Sequence, residues 1–446
     1  MKESQPLITL NIHDLGSNGE GVGYFEGSTF FVAGALPGET VEARLLQKSK
    51  KLGKAALTEV KKASLNRVQP VCKHFGTCGG CQLMHLSYEA QLLAKQQRVA
   101  SALKRIGKID HPVIQPCLPS PSPLAYRNKI QLPVRKNADD IAIGLYSHSS
   151  HDLIEIDSCH IHCPLGEHVF QKAKEIIKSS GIQPYDPETG KGELRHLLIK
   201  TAVKTEQVLV ILVTTSHHTP ILRSIAKEII QKCPQVKGVV HNINEKHDNV
   251  ILGKTTHTLE GSDSIVEQIG GMTFKVSPTA FFQVNHAQAE HIYNKVLELA
   301  ELKGTETVLD AYCGVGTLSL ILAQRAQQVL GVESVSEAIE DARENARMNG
   351  IANAQFTCAL SESYVHRLSG IDIAVLNPPR KGCEQGFLEG IKQLKPKMLI
   401  YVSCDPATLA RDVAYFVSIG YQLDLVQPYD MFPQTAHVET VVKMLL

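Results

Sequence analysis

The sequence of 446 residues has no long apolar run. No stretch of about 18 consecutive apolar residues occurs in it, which argues against an ordinary membrane-spanning helix. The first residues, MKESQPLITL, also lack the apolar core of a secretion signal, so we expect a soluble, cytoplasmic protein without membrane partners. We find no internal repeat and no low-complexity segment, and the length is that of a globular chain with two or three domains.

Charge is unevenly distributed, although the formal net charge is only +1. The segment from Arg44 to Arg67 contains eight lysines and arginines against one acid, and the segment from Gln91 to Lys108 adds five cations and no acid. A basic front end on an otherwise acidic body is typical of proteins that bind the phosphate backbone of a nucleic acid. A solvated lysine face would produce the same pattern, so charge alone does not decide between the two.

The apolar pattern divides the chain into three parts. Residues 7–62 alternate in short segments joined by glycine-rich turns, which predicts a small β-barrel of the oligonucleotide-binding (OB) kind. A helical stretch and a proline-rich connector lead into a region of mixed α and β pattern, and the last part alternates strand and helix, as in a Rossmann-like parallel sheet. We therefore predict an α/β protein with domains at 1–64, 65–275 and 276–446.

The clearest strand–turn–helix unit is TVLDAYCGVGTLSLILA, at residues 307–323. Gly314 and Gly316 form the turn, and Glu333 ends the next strand, where a carboxylate can accept hydrogen bonds from both ribose hydroxyls of a cofactor. The third glycine of a dinucleotide-binding loop is missing, which favours S-adenosylmethionine over NAD. A further buried strand ends at Asn377, and this places Asn377 at the same edge of the predicted sheet.

A thiol and a carboxylate come together in the predicted topology. Cys404 lies where a buried strand gives way to a helix, and the helix N-terminus should lower the pKa of its thiol. The last strand of such a sheet runs antiparallel, so His437 and Glu439 at its start should lie beside Cys404. This pair suits methylation at carbon 5 of a pyrimidine, in which a thiolate adds to carbon 6 and a base removes the carbon-5 proton. A lone cysteine in a sheet is more often inert packing, but its position at this edge favours the catalytic interpretation.

Eight short motifs occur in order along nearly the whole chain: GSNGEGVG, CKHFGTCGGC, AYRNK, FFQVN, DAYCGVGT, NPPR, SCDP and HVET. Together they resemble the RNA uridine-5-methyltransferase family, and the N-terminal segment resembles a TRAM domain, an RNA-binding barrel. The resemblance implies that Cys404 is the nucleophile and Glu439 the proton-abstracting base. It also implies four contacts to S-adenosylmethionine, from Gln283, Tyr312, Glu333 and Asn377. Many family members have Asp in place of Asn377, whose amide oxygen can still accept a hydrogen bond.

Three cysteines, Cys72, Cys78 and Cys81, share one short loop with several glycines. Three thiolates need a fourth ligand to hold a tetrahedral ion or a four-iron cluster. The family resemblance implies a structural [4Fe-4S] cluster with Cys159 as the fourth ligand, and Cys163 is the alternative. His74 and His85 leave a zinc site with three cysteines and one histidine open as well.

Three other classes of protein share some of these features: a radical S-adenosylmethionine enzyme, an amino-group methyltransferase and a non-catalytic RNA-binding protein. The cysteine spacing fits the CxxxCxxC pattern of the first poorly, and Arg380 replaces the aromatic residue typical of the second. The presence of Cys404 and Glu439 argues against the third. The TRAM segment together with the cysteine motif favours 23S ribosomal RNA as the partner, with transfer RNA as the alternative, and we expect a monomer.

Overall fold

The computed structural model describes residues 6–137, 140–148, 150, 152–217, 220–246 and 250–446, so the first five residues of the predicted barrel domain lie outside it. The N-terminal part is a closed barrel of five strands, β1 (Leu7–Leu15), β2 (Gly21–Phe25), β3 (Ser28–Ala33), β4 (Thr40–Lys48) and β5 (Leu52–Lys62). Alternate residues such as Leu10, Phe30 and Val41 point inward and are buried. The predicted barrel is confirmed. Most of the lysines and arginines between Arg44 and Arg67 lie along β4 and β5.

A seven-stranded, largely antiparallel sheet forms the central part, in the order β12-β11-β10-β9-β6-β7-β8. Two helices, α2 and α3, cover one face, where their apolar residues join those of the strands in a single core. The elements are α1 (Tyr88–Arg105), β6 (Lys129–Asn137), β7 (Asp140–Tyr146), β8 (Leu153–Glu155), α2 (Pro164–Ser179), β9 (Leu194–Ala202), β10 (Gln207–Thr214), α3 (Leu222–Lys232), β11 (Val236–Ile243) and β12 (Thr255–Gly261).

The C-terminal part begins with a hairpin and continues as alternating strands and helices. Its elements are β13 (Ile265–Ile269), β14 (Met272–Val276), α4 (His286–Ala300), β15 (Thr307–Ala311), α5 (Thr317–Ala323), β16 (Gln328–Glu333), α6 (Ser336–Met348), β17 (Ala354–Cys358), α7 (Ser361–Tyr364), β18 (Ile373–Leu376), α8 (Gln385–Leu394), β19 (Met398–Ser403), α9 (Pro406–Ser418), β20 (Gln422–Tyr429) and β21 (Glu439–Leu445).

The sheet of the C-terminal part has the order β17-β16-β15-β18-β19-β21-β20. The first five strands are parallel, and β21 lies antiparallel between β19 and β20, as predicted. The strand order reverses between β15 and β18, and ligands of open α/β sheets bind at the carboxyl ends of the strands beside such a reversal. The Rossmann-like fold is confirmed, and its topology directs attention to this edge.

The central and C-terminal parts share cores across the predicted boundary at residue 275. The hairpin residues Ile269, Met272 and Phe274 pack in the core of the C-terminal sheet, and Val99 and Leu103 of α1 pack in the core on its other face. The boundary at residue 275 therefore stays a prediction. Within the described ranges, no helix combines the length and apolar character needed to cross a bilayer.

Candidate active site

Cys404 directly follows β19, and Glu439 begins the adjacent antiparallel strand β21, so the two residues lie side by side. Ser403 is the register partner of Thr440 across β19 and β21, so the next pair along is Cys404 and Glu439. The Glu439 side chain is buried, with 3% of the residue exposed, and Cys404 is half-buried. The negative charge of Glu439 raises the pKa of the Cys404 thiol, as expected for two groups this close. The two residues predicted to act together are therefore neighbours in the fold.

Burial dominates the electrostatics of this pair. It raises the pKa of the Cys404 thiol to about 11, with Glu439 adding to the effect, and it raises the pKa of the Glu439 carboxyl to about 8. The prediction that the helix N-terminus lowers the thiol pKa is wrong. The carboxylate of Asp405 caps α9 by accepting hydrogen bonds from its first free N–H groups, and its charge also raises the thiol pKa.

Arg380 is a charged neighbour of the pair that the sequence interpretation did not assign to the site. Its positive charge lowers the pKa values of Cys404 and Glu439, opposing the effect of burial on both. It also helps burial to lower the pKa of His437, to about 4, so that this imidazole is neutral at physiological pH. Arg380 comes three residues after Asn377, at the edge of the sheet that carries the glycine turn. This position was the sequence signal that could have identified it as a site residue.

The turn after β15 forms the cofactor edge together with Glu333. One carboxylate oxygen of Glu333 accepts a hydrogen bond from the backbone N–H of Gly314, 3.3 Å away, and the other accepts from the backbone of Ser334 at 2.7 Å. Gly314 and Gly316 have φ values of +54° and +79°, in the left-handed region that favours glycine. A Cβ at Gly316 would lie 2.9 Å from the Phe356 ring, whereas one at Gly314 would face open space.

Of the other three residues assigned to the cofactor, Tyr312 and Asn377 lie at this edge. Tyr312 directly follows β15 with a φ of +67°, and Asn377 directly follows β18. The backbone N–H of Asn377 donates to the carbonyl of Ala311 at 3.4 Å, which joins the two strand ends. Gln283 is buried in the segment before α4, where its carbonyl accepts from the Asn128 side chain at 3.0 Å. Tyr312, Glu333 and Asn377 thus lie at the carboxyl ends of three adjacent strands.

All four cysteines assigned to the cluster, Cys72, Cys78, Cys81 and Cys159, line one cavity in the central part. Burial raises the pKa of the Cys81 thiol far above its usual value, and the other three thiols each add to that rise. Cys163 instead lies at the start of α2. In the described part of the chain, no three Cys, His, Asp or Glu side chains form a group that could hold a metal ion.

The two histidines of the zinc alternative differ in position. His74 lines the same cavity as the four cysteines, and its buried Nε2 has no hydrogen-bond partner. The ring of His85 packs against Phe75, with 5.0 Å between the ring centroids, and burial lowers the pKa of His85 to about 4. His74 is therefore the histidine that the geometry leaves beside the thiols.

A Rossmann-like sheet with a glycine turn, an acid at the end of its second strand and an antiparallel strand inserted last is the framework of an S-adenosylmethionine-dependent methyltransferase. Comparison with known proteins narrows this class. Residues 87–445 match the family model described as tRNA (uracil-5-)-methyltransferase, and residues 7–58 match the TRAM domain. The chain therefore belongs to this family of S-adenosylmethionine-dependent RNA uracil-5-methyltransferases, and the predicted resemblance is confirmed.

Individual relatives agree with the family assignment over the full length. An uncharacterized RNA methyltransferase of Clostridium tetani is 43% identical and the alignment covers 100% of this chain and 98% of that protein. One of Listeria monocytogenes is 42% identical, with 100% and 99% covered. The crystal structure of Pyrococcus abyssi tRNA (uracil-54, C5)-methyltransferase with S-adenosyl-L-homocysteine is 28% identical, with a TM-score of 0.78 and coverage of 98% and 100%.

Proposed function

We propose that this enzyme methylates carbon 5 of a uridine in structured RNA through a transient covalent bond between Cys404 and carbon 6. The observation that carries the proposal is the pairing of Cys404 with Glu439 at the ends of β19 and β21, with Arg380 close enough to act on both. A methyltransferase acting on an amino group needs no thiol, so this pair favours carbon methylation.

Each chemical step has a group in this arrangement. S-adenosylmethionine supplies the electrophilic methyl group. Carbon 5 of uracil is too weak a nucleophile by itself, so the Cys404 thiolate forms a bond to carbon 6 and the electron pair of the double bond moves to carbon 5. Carbon 5 then bonds to the methyl carbon as the bond between that carbon and the sulfonium sulfur breaks, which leaves S-adenosylhomocysteine. Glu439 accepts the proton of carbon 5, the double bond re-forms, and the carbon–sulfur bond breaks to release the thiolate. The target base must leave its stack to reach the buried pair.

Arg380 stabilises the charged forms that this sequence of steps requires. A buried thiolate and a buried carboxylate are each unfavourable without a nearby cation. Arg380 lowers both pKa values, so it raises the fraction of thiolate available for attack and of carboxylate available to accept a proton.

The cofactor residues are proposed on the positions of three strand ends. Glu333 would accept hydrogen bonds from the ribose hydroxyls, since its carboxylate is already oriented by the backbone of Gly314 and Ser334. Tyr312 and Asn377 would line the space in front of the glycine turn, and Gln283 would approach it from the segment before α4. The amide of Asn377 accepts a hydrogen bond without carrying charge.

We propose 23S ribosomal RNA as the substrate, on the combination of the TRAM barrel with the cysteine motif. Transfer RNA is the second candidate, because the archaeal relative of known structure is a tRNA (uracil-54, C5)-methyltransferase and matches nearly the whole chain. The two substrates share the same chemistry at the uridine, so the distinction lies in which RNA is bound.

Mapping of 5-methyluridine in a strain that lacks the protein distinguishes the two substrates. We expect at least one 5-methyluridine to disappear from 23S ribosomal RNA while the transfer RNA pattern stays unchanged, and re-expression of the wild-type enzyme to restore it. A loss confined to transfer RNA would reverse the assignment of the substrate. A full set of 5-methyluridines in both RNAs would contradict the proposed reaction.

For the cavity lined by four cysteines we propose a [4Fe-4S] cluster held by Cys72, Cys78, Cys81 and Cys159. The donor set fits, since four thiols share one cavity whose other walls include the apolar Phe75, Leu145 and Ile156. A cubane cluster binds each thiolate to a different iron atom, so its ligands lie farther apart than those of a single ion. With four cysteine ligands such a cluster has no open iron position, so its contribution would be structural.

Anaerobic purification tests the cluster directly. We expect about four iron and four sulfide per chain with a broad visible absorbance, because four cysteine ligands complete a [4Fe-4S] site. A Cys159→Ser variant should lose most of the iron, whereas Cys163→Ser, the matched control, should retain it. Stoichiometric zinc without iron would contradict the proposal and favour three of these cysteines with His74.

A further inference from the structure

The catalytic base stands at the end of a loop that other parts of the chain hold in place. Residues 430–438 connect β20 to β21, and Glu439 follows directly. Gln434, in the middle of this loop, has a φ of +70°, a left-handed conformation that is strained for a residue with a side chain. Such a conformation persists only where the surroundings enforce it. The contacts of Gln434 are therefore informative.

Both the backbone and the side chain of Gln434 are hydrogen-bonded to other segments. Its carbonyl accepts hydrogen bonds from the backbone N–H groups of Gln82 and Leu83, at 3.0 and 2.9 Å, and its side-chain amide donates to the carbonyl of Pro123 at 3.1 Å. With Gln91 of α1 it forms a reciprocal pair: the backbone N–H of Gln434 donates to Gln91 Oε1 at 3.1 Å, and Gln91 Nε2 donates to Gln434 Oε1 at 3.0 Å. Both residues are buried.

Gln91 also hydrogen-bonds to the segment that precedes α1. Its Nε2 lies 3.1 Å from the carbonyl of Leu83 and 2.9 Å from that of Leu86. Gln82 and Leu83 directly follow Cys81, so the segment that begins at the cysteine cavity, helix α1 and the loop before Glu439 all converge on one pair of glutamines. A side chain that joins three segments fixes their relative positions.

Two further residues on the same face of α1 hold the loop. Lys95 and Arg98 lie four and seven residues after Gln91, which places the three side chains on one side of the helix. Lys95 forms a fully buried ion pair with Asp430 and donates to the carbonyl of Phe432 at 3.0 Å, and Arg98 donates to the carbonyl of Ala436. Buried ion pairs add little net stability, so their value here is geometric.

We propose that Gln91 is a positioning residue for the base: through Gln434 it sets the path of the 430–438 loop and so the place of Glu439 beside Cys404. The inference rests on the proposed roles of these two residues. Gln91 forms a hydrogen bond with neither of them, and it reaches Glu439 through its contacts with the loop. A loss of this contact should therefore affect the step that uses Glu439 more than the step that uses Cys404.

The test uses the full-length enzyme with Gln91→Met, which preserves side-chain length and packing but removes every hydrogen bond of the amide. We expect kcat to fall about 10- to 100-fold, since small displacements of a catalytic group cost this much. The KM for RNA and the Kd for S-adenosylmethionine should change less than about twofold, because the substitution leaves the binding of both substrates in the ground state intact. With slow proton removal, a covalent enzyme–RNA adduct should accumulate on ordinary uridine RNA and remain on a denaturing gel.

Gln97→Met is the matched control, because Gln97 lies on the exposed side of the same helix, and it should behave as wild type. RNA with 5-fluorouridine at the target reports on Cys404 independently, since its fluorine cannot be removed as a proton. The inference is overturned if Gln91→Met keeps the wild-type kcat, or if it loses the fluorouridine adduct together with turnover, as a general structural defect would. If the wild-type enzyme forms no fluorouridine adduct, the covalent mechanism itself fails.

Discussion

Cys404→Ala should have no measurable methyl-transfer activity, a loss of at least about 10⁴-fold, as is common when a covalent nucleophile is removed. The alanine cannot add to carbon 6, and without that bond carbon 5 does not gain the electron density to take the methyl group. The half-buried site should otherwise persist, because Ser403 and Asp405 keep the strand pairing and the helix cap. Binding of S-adenosylmethionine should therefore be retained.

The covalent bond itself can be measured with RNA that contains 5-fluorouridine at the target. The wild-type enzyme should form an adduct that survives a denaturing gel, and Cys404→Ala should form none. Cys233→Ala is the control, since Cys233 is a buried thiol in the core of the central sheet. An adduct that persists in Cys404→Ala would assign the nucleophile to another residue.

Much of this site could be predicted from the sequence because sheet topology brings strand ends together. A parallel sheet aligns the carboxyl ends of its strands, so the positions of Tyr312, Glu333 and Asn377 follow once each strand is recognised. The antiparallel last strand then places Glu439 beside Cys404 across 35 residues of sequence. These relations can be predicted because each strand is recognised from its local apolar pattern, and few sheet topologies are compatible with the order of the strands and helices.

The pKa of Cys404 could not be predicted in the same way. The sequence shows a helix N-terminus after the thiol, but the depth of burial and the charge of a neighbouring strand are tertiary properties. Desolvation raises the pKa of the Cys404 thiol, and Glu439 adds to the same shift. Arg380 opposes both, and its proximity depends on how the loop after Asn377 folds back.

The role of α1 also escaped the sequence interpretation. Its pattern shows an amphipathic helix but not the partner of its polar face, and the chain position suggested the central domain. In the fold it packs on the C-terminal core, and Lys95 reaches Asp430 across 335 residues. No local signal reports a contact of that separation, so the support of the 430–438 loop emerges only from the structure.

Glu439→Gln should reduce turnover by about 10²- to 10⁴-fold, the usual contribution of a general base, while leaving the carbon–sulfur bond able to form. The amide matches the carboxylate in size but cannot accept a proton. Methyl transfer precedes proton removal, so the enzyme should stall as a methylated covalent adduct on ordinary uridine RNA. With a radiolabelled methyl donor, the label should migrate with the enzyme–RNA adduct on a denaturing gel. Glu389→Gln, at an exposed position on α8, is the control and should turn over normally.

The labelled adduct also distinguishes two ways in which Glu439 could serve the reaction. Because Glu439 lies close enough to raise the pKa of the Cys404 thiol, the carboxylate could instead take the proton of the thiol and act before methyl transfer. In that case Glu439→Gln would fail to form an adduct even with 5-fluorouridine RNA, and no label would reach the RNA. A carboxylate that has already taken the thiol proton is not free to accept the proton of carbon 5, so one group would have to serve two successive proton transfers. The proposed order assigns Glu439 to the later step alone, proton removal from carbon 5, and therefore predicts an adduct that carries the methyl group.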